Sequence, residues 1–569
     1  MYTASSALID ALAAAGVSHI FANLGSDHPP IVEALAEARA QGRSVPTLVT
    51  CPNEMVALSA AHGYAQVSGR AQMVLVHVEC GTQALAGAVH NAAKGRVPVL
   101  ILAGASPFTQ EGELRGSRNE FIQWIQDVFD QRGLVRGYVR YDNELRSGRN
   151  ITQMLHRALQ FAHSEPKGPV YLMAAREVLE EEVPPPRALA GFPALAPAAL
   201  APADADALAR ALAAAARPLV VTSYLGRNPA AVAELTRLAR RLGAGVLESV
   251  PNCVNFATDD PLYQGNQWNE PVQNSALAAA DLVLVVDSDV PWIPLVSRPD
   301  AAARVVHIDT DPIKQQMPLF DIGAEAVFRA DAATALAQLN AVLDALPPDG
   351  ARVAERTDFW RTRHAARAAE LLRREQPEGE TITGAVLTAR LRAALDDNTL
   401  VLSEGISNYP TIIDHLRLSH PGTLFTSGGG SLGWNGGAAI GVKLARPEKT
   451  VWALTGDGSY MFSVPSSVHW MARQYRAPFL QVVYNNRGWK SPKLSMLAVH
   501  PDGFASRANA IGVEFDPPPD YGAIAAAAGG AFAAKVTRVS ELDGAITAAL
   551  HAVRVEGRAA VLDVWLPAL

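Results

Sequence analysis

Cysteine is scarce in this chain. Cys51, Cys80 and Cys253 are the only three in 569 residues, they lie far apart, and none forms a CxxC pair. That spacing excludes a disulfide framework and offers no zinc site. Positive charge is not in excess: the net charge is −7 and the pI is near 6.1, which removes the electrostatic case for nucleic acid or an anionic membrane surface. No stretch approaches the roughly 18 uninterrupted apolar residues of a membrane span. The opening MYTASSALIDALAAAGVSHIF lacks a basic leader region and Asp10 interrupts its apolar run, so an amphipathic first helix is expected rather than a signal. No short-period repeat is present. These absences leave a cytoplasmic protein with no nucleic-acid and no membrane partner as the expectation.

What is abundant is apolar sequence, 49% against 18% charged, in a chain longer than the roughly 250–300 residues at which one core stops growing. Short β-rich runs alternate with Ala/Leu-rich stretches: HIFANLG, QMVLVHVE, VPVLILAG, PVYLM, PLVVTSY, LVLVVDSD, RVVHID, TLVLSEG, TVWALTGDG, FLQVVYNN and AVLDVWL. Fully apolar strands separated by helices predict parallel sheets covered on both faces. Two composition shifts suggest boundaries. Residues 183–206, VPPPRALAGFPALAPAALAPADAD, read as a linker, and a charged helix is expected over ERTDFWRTRHAARAAELLRREQ. The fold class expected is α/β, with three doubly wound parallel-sheet domains at about residues 1–185, 195–345 and 375–569.

Two strand ends carry unusual polar residues. TVWALTGDG ends with Asp457 between Gly456 and Gly458, and FLQVVYNN ends with Asn485 and Asn486, with 26 residues between Gly458 and Asn485. Strand ends of an open α/β sheet are where ligands bind. A diphosphate bound there needs a cation that takes one or two protein side chains and leaves its other positions to the phosphates. Asp457, Asn486 and the Gly488 carbonyl fit that role for Mg²⁺. Either fragment alone is equally well a tight turn; the pair is harder to dismiss. A rival signal precedes it. Gly428, Gly430 and Gly433 in SGGGSLGWNGGAAIG satisfy GxGxxG, which on its own is a weak dinucleotide-binding mark and would make this a nucleotide-dependent oxidoreductase. That reading leaves the asparagine pair unexplained.

GDG followed by about 26 residues and NN resembles the signature of thiamine-diphosphate-dependent enzymes. The chain is similar over its whole length to the branch holding acetolactate synthase, pyruvate decarboxylase and benzoylformate decarboxylase. The resemblance implies pyrimidine-binding, middle and diphosphate-binding domains, in that order. In such enzymes the Gly430 carbonyl would accept from the cofactor's amino group and Leu432 would wedge between its two rings. Glu404, Ile406, Ser407, Gly456, Gly458 and Ser459 would serve the diphosphate. Glu54, which opens the helix in TCPNEMVALSAAHGYAQVSGR, matches the glutamate that activates the pyrimidine. Because the family joins these halves across a subunit interface, a homodimer or homotetramer is implied.

Ser26 in FANLGSDHPP and His77 in VLVHVECGTQAL resemble the serine and histidine with which benzoylformate decarboxylase holds carboxylate and relays protons, and His28 is expected to face the same site. A histidine near its intrinsic pKa suits proton transfer at neutral pH. There are departures. The middle unit offers Trp292 where that decarboxylase has a second histidine, the stretch between Asp457 and Asn485 is two residues longer, and Glu79 adds a carboxylate. Trp292 and Trp489 suggest a bulky pocket, whereas Lys490 or Lys493, beside Ser491, suits a carboxylate.

The reaction implied is carbon–carbon bond cleavage or formation next to a carbonyl, on a small 2-oxo acid or aldehyde. A decarboxylase/carboligase is expected first, an acetolactate synthase-like transferase second, and a flavin-linked 2-oxo acid oxidase third. FAD has no support beyond VVHIDTDP in the middle unit, which does not distinguish flavin, ADP or neither.

Overall fold

The computed structural model describes residues 2–185 and 193–569. Part of the expected linker lies outside those residues; the rest runs without regular structure to the helix Pro202–Ala214. The charged stretch is the helix Gly350–Arg374. No helix of the described residues is long and apolar enough to cross a membrane.

Eighteen strands form three six-stranded sheets, each drawn from one continuous part of the chain. The first holds β1 (His19–Ala22), β2 (Thr47–Thr50), β3 (Met73–Val76), β4 (Leu100–Ala105), β5 (Asp142–Leu145) and β6 (Val170–Ala175), in the order β2-β1-β3-β4-β6-β5. The second holds β7 (Pro218–Thr222), β8 (Gly245–Ser249), β9 (Tyr263–Gln267), β10 (Leu282–Val286), β11 (Arg304–Asp309) and β12 (Ala326–Arg329), ordered β12-β11-β10-β7-β8-β9. The third holds β13 (Thr399–Glu404), β14 (Leu424–Phe425), β15 (Thr450–Gly456), β16 (Leu480–Asn485), β17 (Phe532–Val536) and β18 (Ala560–Trp565), ordered β14-β13-β15-β16-β18-β17. Neighbours pair in parallel throughout. The central strands are apolar because helices cover both faces.

The first and third sheets share one hydrophobic core, while the second has its own. The shared core is built on the crossing of helices Glu54–Ser68 and Trp434–Ala445. Asn53 caps the first by accepting from Val56 N–H at 3.1 Å, and Gly69 ends it at φ 70°, a left-handed position that suits glycine. At the crossing the backbones touch: a Cβ on Gly441 would lie 1.8 Å from Ala60 O, and one on Gly63 would lie 2.4 Å from Ala438 O. Part of the glycine-rich sequence is therefore a packing surface, since any side chain there would force the helices apart.

His62 sits in this crossing, its ring 5.4 Å from that of Trp434 and neither nitrogen hydrogen-bonded. Burial pushes it down to about 3. A depressed histidine supports the fold fully above its unfolded value near 6.5 and withdraws that support as pH falls towards 3. The expected loss at pH 5 is about 2 kcal/mol. Melting temperatures at pH 7.5 and pH 5 should therefore differ less in His62→Leu than in the parent.

Candidate active site

In the third sheet β13 is flanked by β14 on one side and β15 on the other. Chain direction across the sheet reverses there, and the carboxyl ends of the strands open a crevice. Its walls are the turns after β13 and β15, close enough that a Cβ on Gly456 would lie 3.8 Å from Gly405 O. Ile406 follows β13 at φ 51°, a left-handed position that costs a β-branched residue strain and marks a constrained turn. Ile406 and Ser407 are half-buried there.

Asp457 begins the short helix Asp457–Phe462 and is buried. Its Oδ1 accepts from Gly458 N–H at 2.8 Å and its Oδ2 from Gly488 N–H at 2.9 Å. Burial still pushes its carboxyl up to about 6. Asn485 donates to Asp563 at 2.7 Å and so pins the end of β16, leaving Asn486 to turn towards Asp457. The amide oxygen of Asn486 lies 2.8 Å from Gly488 O and 3.2 Å from Asp457 Oδ2. Three oxygens facing one another repel, and only two arrangements relieve that. Either the amide turns its NH₂ to the other two, or a cation lies among all three. Gly488 reaches this point at φ 154°, and a Cβ on it would lie 2.4 Å from Val513 O.

Two more buried groups at this spot have no partner: the Ser459 hydroxyl and the Trp489 indole N–H. Unsatisfied donors beside a cation-ready oxygen set suit a bound anion. Trp489 packs against the turn, its Nε1 where a Cβ on Gly458 would intrude at 2.3 Å, with Phe462 and Phe515 around it. The donor set fits a diphosphate carried on a divalent cation.

Glu404 is the last residue of β13. Its buried carboxylate accepts from Gly433 N–H at 2.7 Å and from Asn435 N–H at 2.8 Å, and burial pushes it up to about 7. The side chain is spent on the N-terminus of helix Trp434–Ala445, so it shapes the glycine loop. The loop is also tied to the first unit: Gly430 N–H donates to His90 Nε2 at 3.1 Å, and Asn91 bonds both the N–H and the C=O of Ser431. His90 and Asn91 carry no sequence motif that would have marked them. Leu432 follows, half-buried.

The first sheet presents a second group at its carboxyl edge. Glu54 is half-buried, its Oε1 3.6 Å from a Cβ built on Gly81. Ser26, His77, Ser106 and Gln126 line a narrow cleft beside it. His28 does not face that cleft. It is 1% exposed, its Nδ1 accepts from Gly25 N–H at 2.9 Å, its Nε2 meets Val76 O at 3.2 Å, and burial pushes it down. Trp292 is 5% exposed and packs on the core of the second unit, where it also lines a cavity with Trp268, Pro410, Thr411 and Asp414. Lys490 is exposed on the helix Lys490–Val499, which buries none of its residues, and Ser491 is half-buried beside it.

The second sheet's crevice, between β7 and β10, is filled by the chain's own charges. Arg96 from the first unit reaches Asp309 at 2.8 Å and Asp289 at 3.1 Å, and Lys314 reaches Asp309 at 2.6 Å and Tyr224 at 2.9 Å. These buried groups pair with one another, and that pairing gives no support for a flavin or adenine nucleotide.

Family models and curated relatives match most of the chain. Residues 2–134 match the model of the thiamine pyrophosphate enzyme N-terminal TPP binding domain, residues 205–339 the central domain, and residues 405–564 the C-terminal TPP binding domain. Benzoylformate decarboxylase of Pseudomonas aeruginosa is 26% identical over 507 residues, covering 85% of this chain and 86% of that one. Acetolactate synthase of Bacillus subtilis is 23% identical over 499 residues, covering 84% and 80%. The solved structure of 4-hydroxybenzoylformate decarboxylase from Rhodococcus jostii superposes with a TM-score of 0.78 at 21% identity, over 100% of this chain and 99% of that one. With its three domain models matched in order and the diphosphate-side donors gathered at the third sheet's switch point, the chain belongs to the thiamine pyrophosphate enzyme family.

Proposed function

We propose that the protein is a thiamine-diphosphate-dependent 2-oxo acid decarboxylase/carboligase, with Mg²⁺ held by Asp457, Asn486 and the Gly488 carbonyl. The observation that carries the cofactor arrangement is the convergence of the Asp457 carboxylate, the Asn486 side-chain amide and the Gly488 carbonyl beside the unpartnered Ser459 hydroxyl. When bound, the cofactor supplies a nucleophilic carbon that adds to the substrate carbonyl and accepts the electrons of the broken bond. Asp457 and Asn486 fix the diphosphate end through the cation. Glu54 would hydrogen-bond the pyrimidine nitrogen and so set the ring's basicity. His77 and Ser26 hold the substrate carboxylate in the cleft beside Glu54, and His77 donates a proton to the reacting carbon after CO₂ leaves. The kinship with decarboxylases and acetolactate synthases supports a 2-oxo acid as substrate.

The active unit is a homodimer in which Glu54 of one chain faces the Asp457 clamp of another. Two features support this. Thr50 N–H, at the end of β2, is bonded to the Tyr475 hydroxyl at 2.6 Å, just beyond the far end of helix Pro465–Gln474 from the Asp457 turn. Phe121, Trp124, Ile125, Val128 and Phe129 stand exposed together on the segment after β4, an apolar face that a second chain would cover.

The test is product analysis on pyruvate and benzoylformate with cofactor and Mg²⁺ added or withheld. Cofactor-dependent CO₂ release with aldehyde or acyloin as product is expected. Saturable cofactor binding without turnover of either acid would overturn the substrate assignment and leave the fold intact.

A further inference from the structure

His77 follows β3, and its ring is held on both sides. Nδ1 lies 2.5 Å from Asp27 Oδ1 and Nε2 lies 2.7 Å from Gln126 Oε1. Asp27 is 2% exposed, and its other oxygen accepts from Val78 N–H at 3.1 Å. The chain makes room for this pair with two glycines. A Cβ on Gly104 of β4 would lie 1.5 Å from Asp27 Oδ2, and one on Gly25 would lie 2.1 Å from His77 Nδ1. Any side chain at either position would displace the dyad. An imidazole with an acceptor at each nitrogen matches only its doubly protonated form.

The surroundings agree. Asp27 and His28 face the ring from the turn after β1 and Glu54 from the start of its helix; Glu79 and Cys80, on the helix Val78–Ala84, are hydrogen-bonded to each other. His28 is pushed down by burial and stays neutral. The hydrogen bond to Asp27 raises His77; burial opposes it; the charge of Asp27, the bond to Gln126 and the charge of Glu54 add to the rise. Burial alone would raise Asp27, but its bond from His77 and the nearby ring of His28 bring it below the ordinary carboxylate value.

We propose that Asp27 is the positioning residue for His77: it accepts the Nδ1–H hydrogen bond, turns Nε2 towards the cleft lined by Ser26, Ser106 and Gln126, and favours the doubly protonated ring. A charged, oriented imidazolium then both attracts the substrate carboxylate and holds the proton that the reacting carbon needs. The orientation and charge state stand on the folded chain alone; their catalytic meaning rests on the 2-oxo acid reading above.

The experiment uses the full chain labelled with ¹⁵N-histidine and prepared without cofactor, with the His77 signals assigned from His77→Gln. Both ring nitrogens of His77 should be protonated at pH 7, with a midpoint above the ordinary value near 6.5. Asp27→Asn should lower that midpoint by about one unit or more. With cofactor and a turned-over 2-oxo acid, the alkaline limb of the kcat/KM profile should move down by the same amount, and should not move when Asp27→Asn is added to His77→Gln. An unchanged midpoint in Asp27→Asn, or a parent His77 that titrates at or below the ordinary value, would overturn the proposal. The second criterion needs only the parent protein, so it decides even where Asp27→Asn fails to fold. A shifted midpoint without turnover of any 2-oxo acid would uphold the Asp27–His77 coupling and remove the functional reading instead.

Discussion

Glu54→Gln is expected to lower turnover ~10²–10⁴-fold, the range for removing one positioned acid–base group, while cofactor affinity changes little. The residue is well placed for a loss confined to chemistry. Glu54 opens a helix whose start is already capped by Asn53, and it is half-buried at the edge of the first sheet rather than in the core. Glutamine keeps its shape and removes only the ionisable carboxyl. Calorimetric binding of the cofactor, measured beside steady-state rates, separates the two effects. A parallel loss of binding and rate would make Glu54 a structural residue instead.

Asp457→Asn should act on the other half of the site. It removes the one charged member of the three-oxygen set and leaves the amide of Asn486 and the carbonyl of Gly488. Divalent-cation affinity should fall ~100-fold or more, since even partners outside the direct ligand set cost 10–100-fold. Turnover at low Mg²⁺ should be lost with it and partly regained at high Mg²⁺. The side chain also accepts two backbone N–H bonds, which asparagine can keep only in part. A melting curve without cation therefore belongs beside the titration. If the variant melts with the parent and still binds Mg²⁺ as tightly, the clamp does not lie at Asp457.

The sequence made the architecture legible where burial is symmetrical. Eleven apolar runs are all strands, and six of the seven remaining strands are sheet edges: β2, β5, β9, β12, β14 and β17. An edge strand pairs on one side only and is short or polar, as in DNEL of β5 or the two residues of β14, so it lacks the continuous apolar signature. The seventh, β8, is internal, but Glu248 and Ser249 break its apolar run. Asp457, Asn486 and Gly488 could be grouped from sequence because they sit at the ends of adjacent parallel strands, where chain order and spatial order coincide. Partners joined only through space could not. Asp27 and Gln126 lie 50 and 49 residues from His77 in the chain, and nothing in the sequence pairs either with it. The same limit explains His28, which follows Ser26 and Asp27 but turns inward to bond Gly25 and Val76, and Glu404, whose carboxylate is claimed by a helix start 29 residues away.

The most direct test of a site divided between two chains is complementation. Glu54→Gln and Asp457→Asn chains, each inactive alone, are co-expressed with different tags, and the mixed dimers are compared with the parent. If Glu54 of one chain serves the Asp457 clamp of the other, each mixed dimer carries one doubly damaged site and one intact site. Random pairing then returns about a quarter of the parent activity to the mixture, and purified mixed dimers return about half. If both residues serve a site within their own chain, every site in the mixed dimer keeps a lesion. No recovery in a correctly assembled mixed dimer would contradict the account.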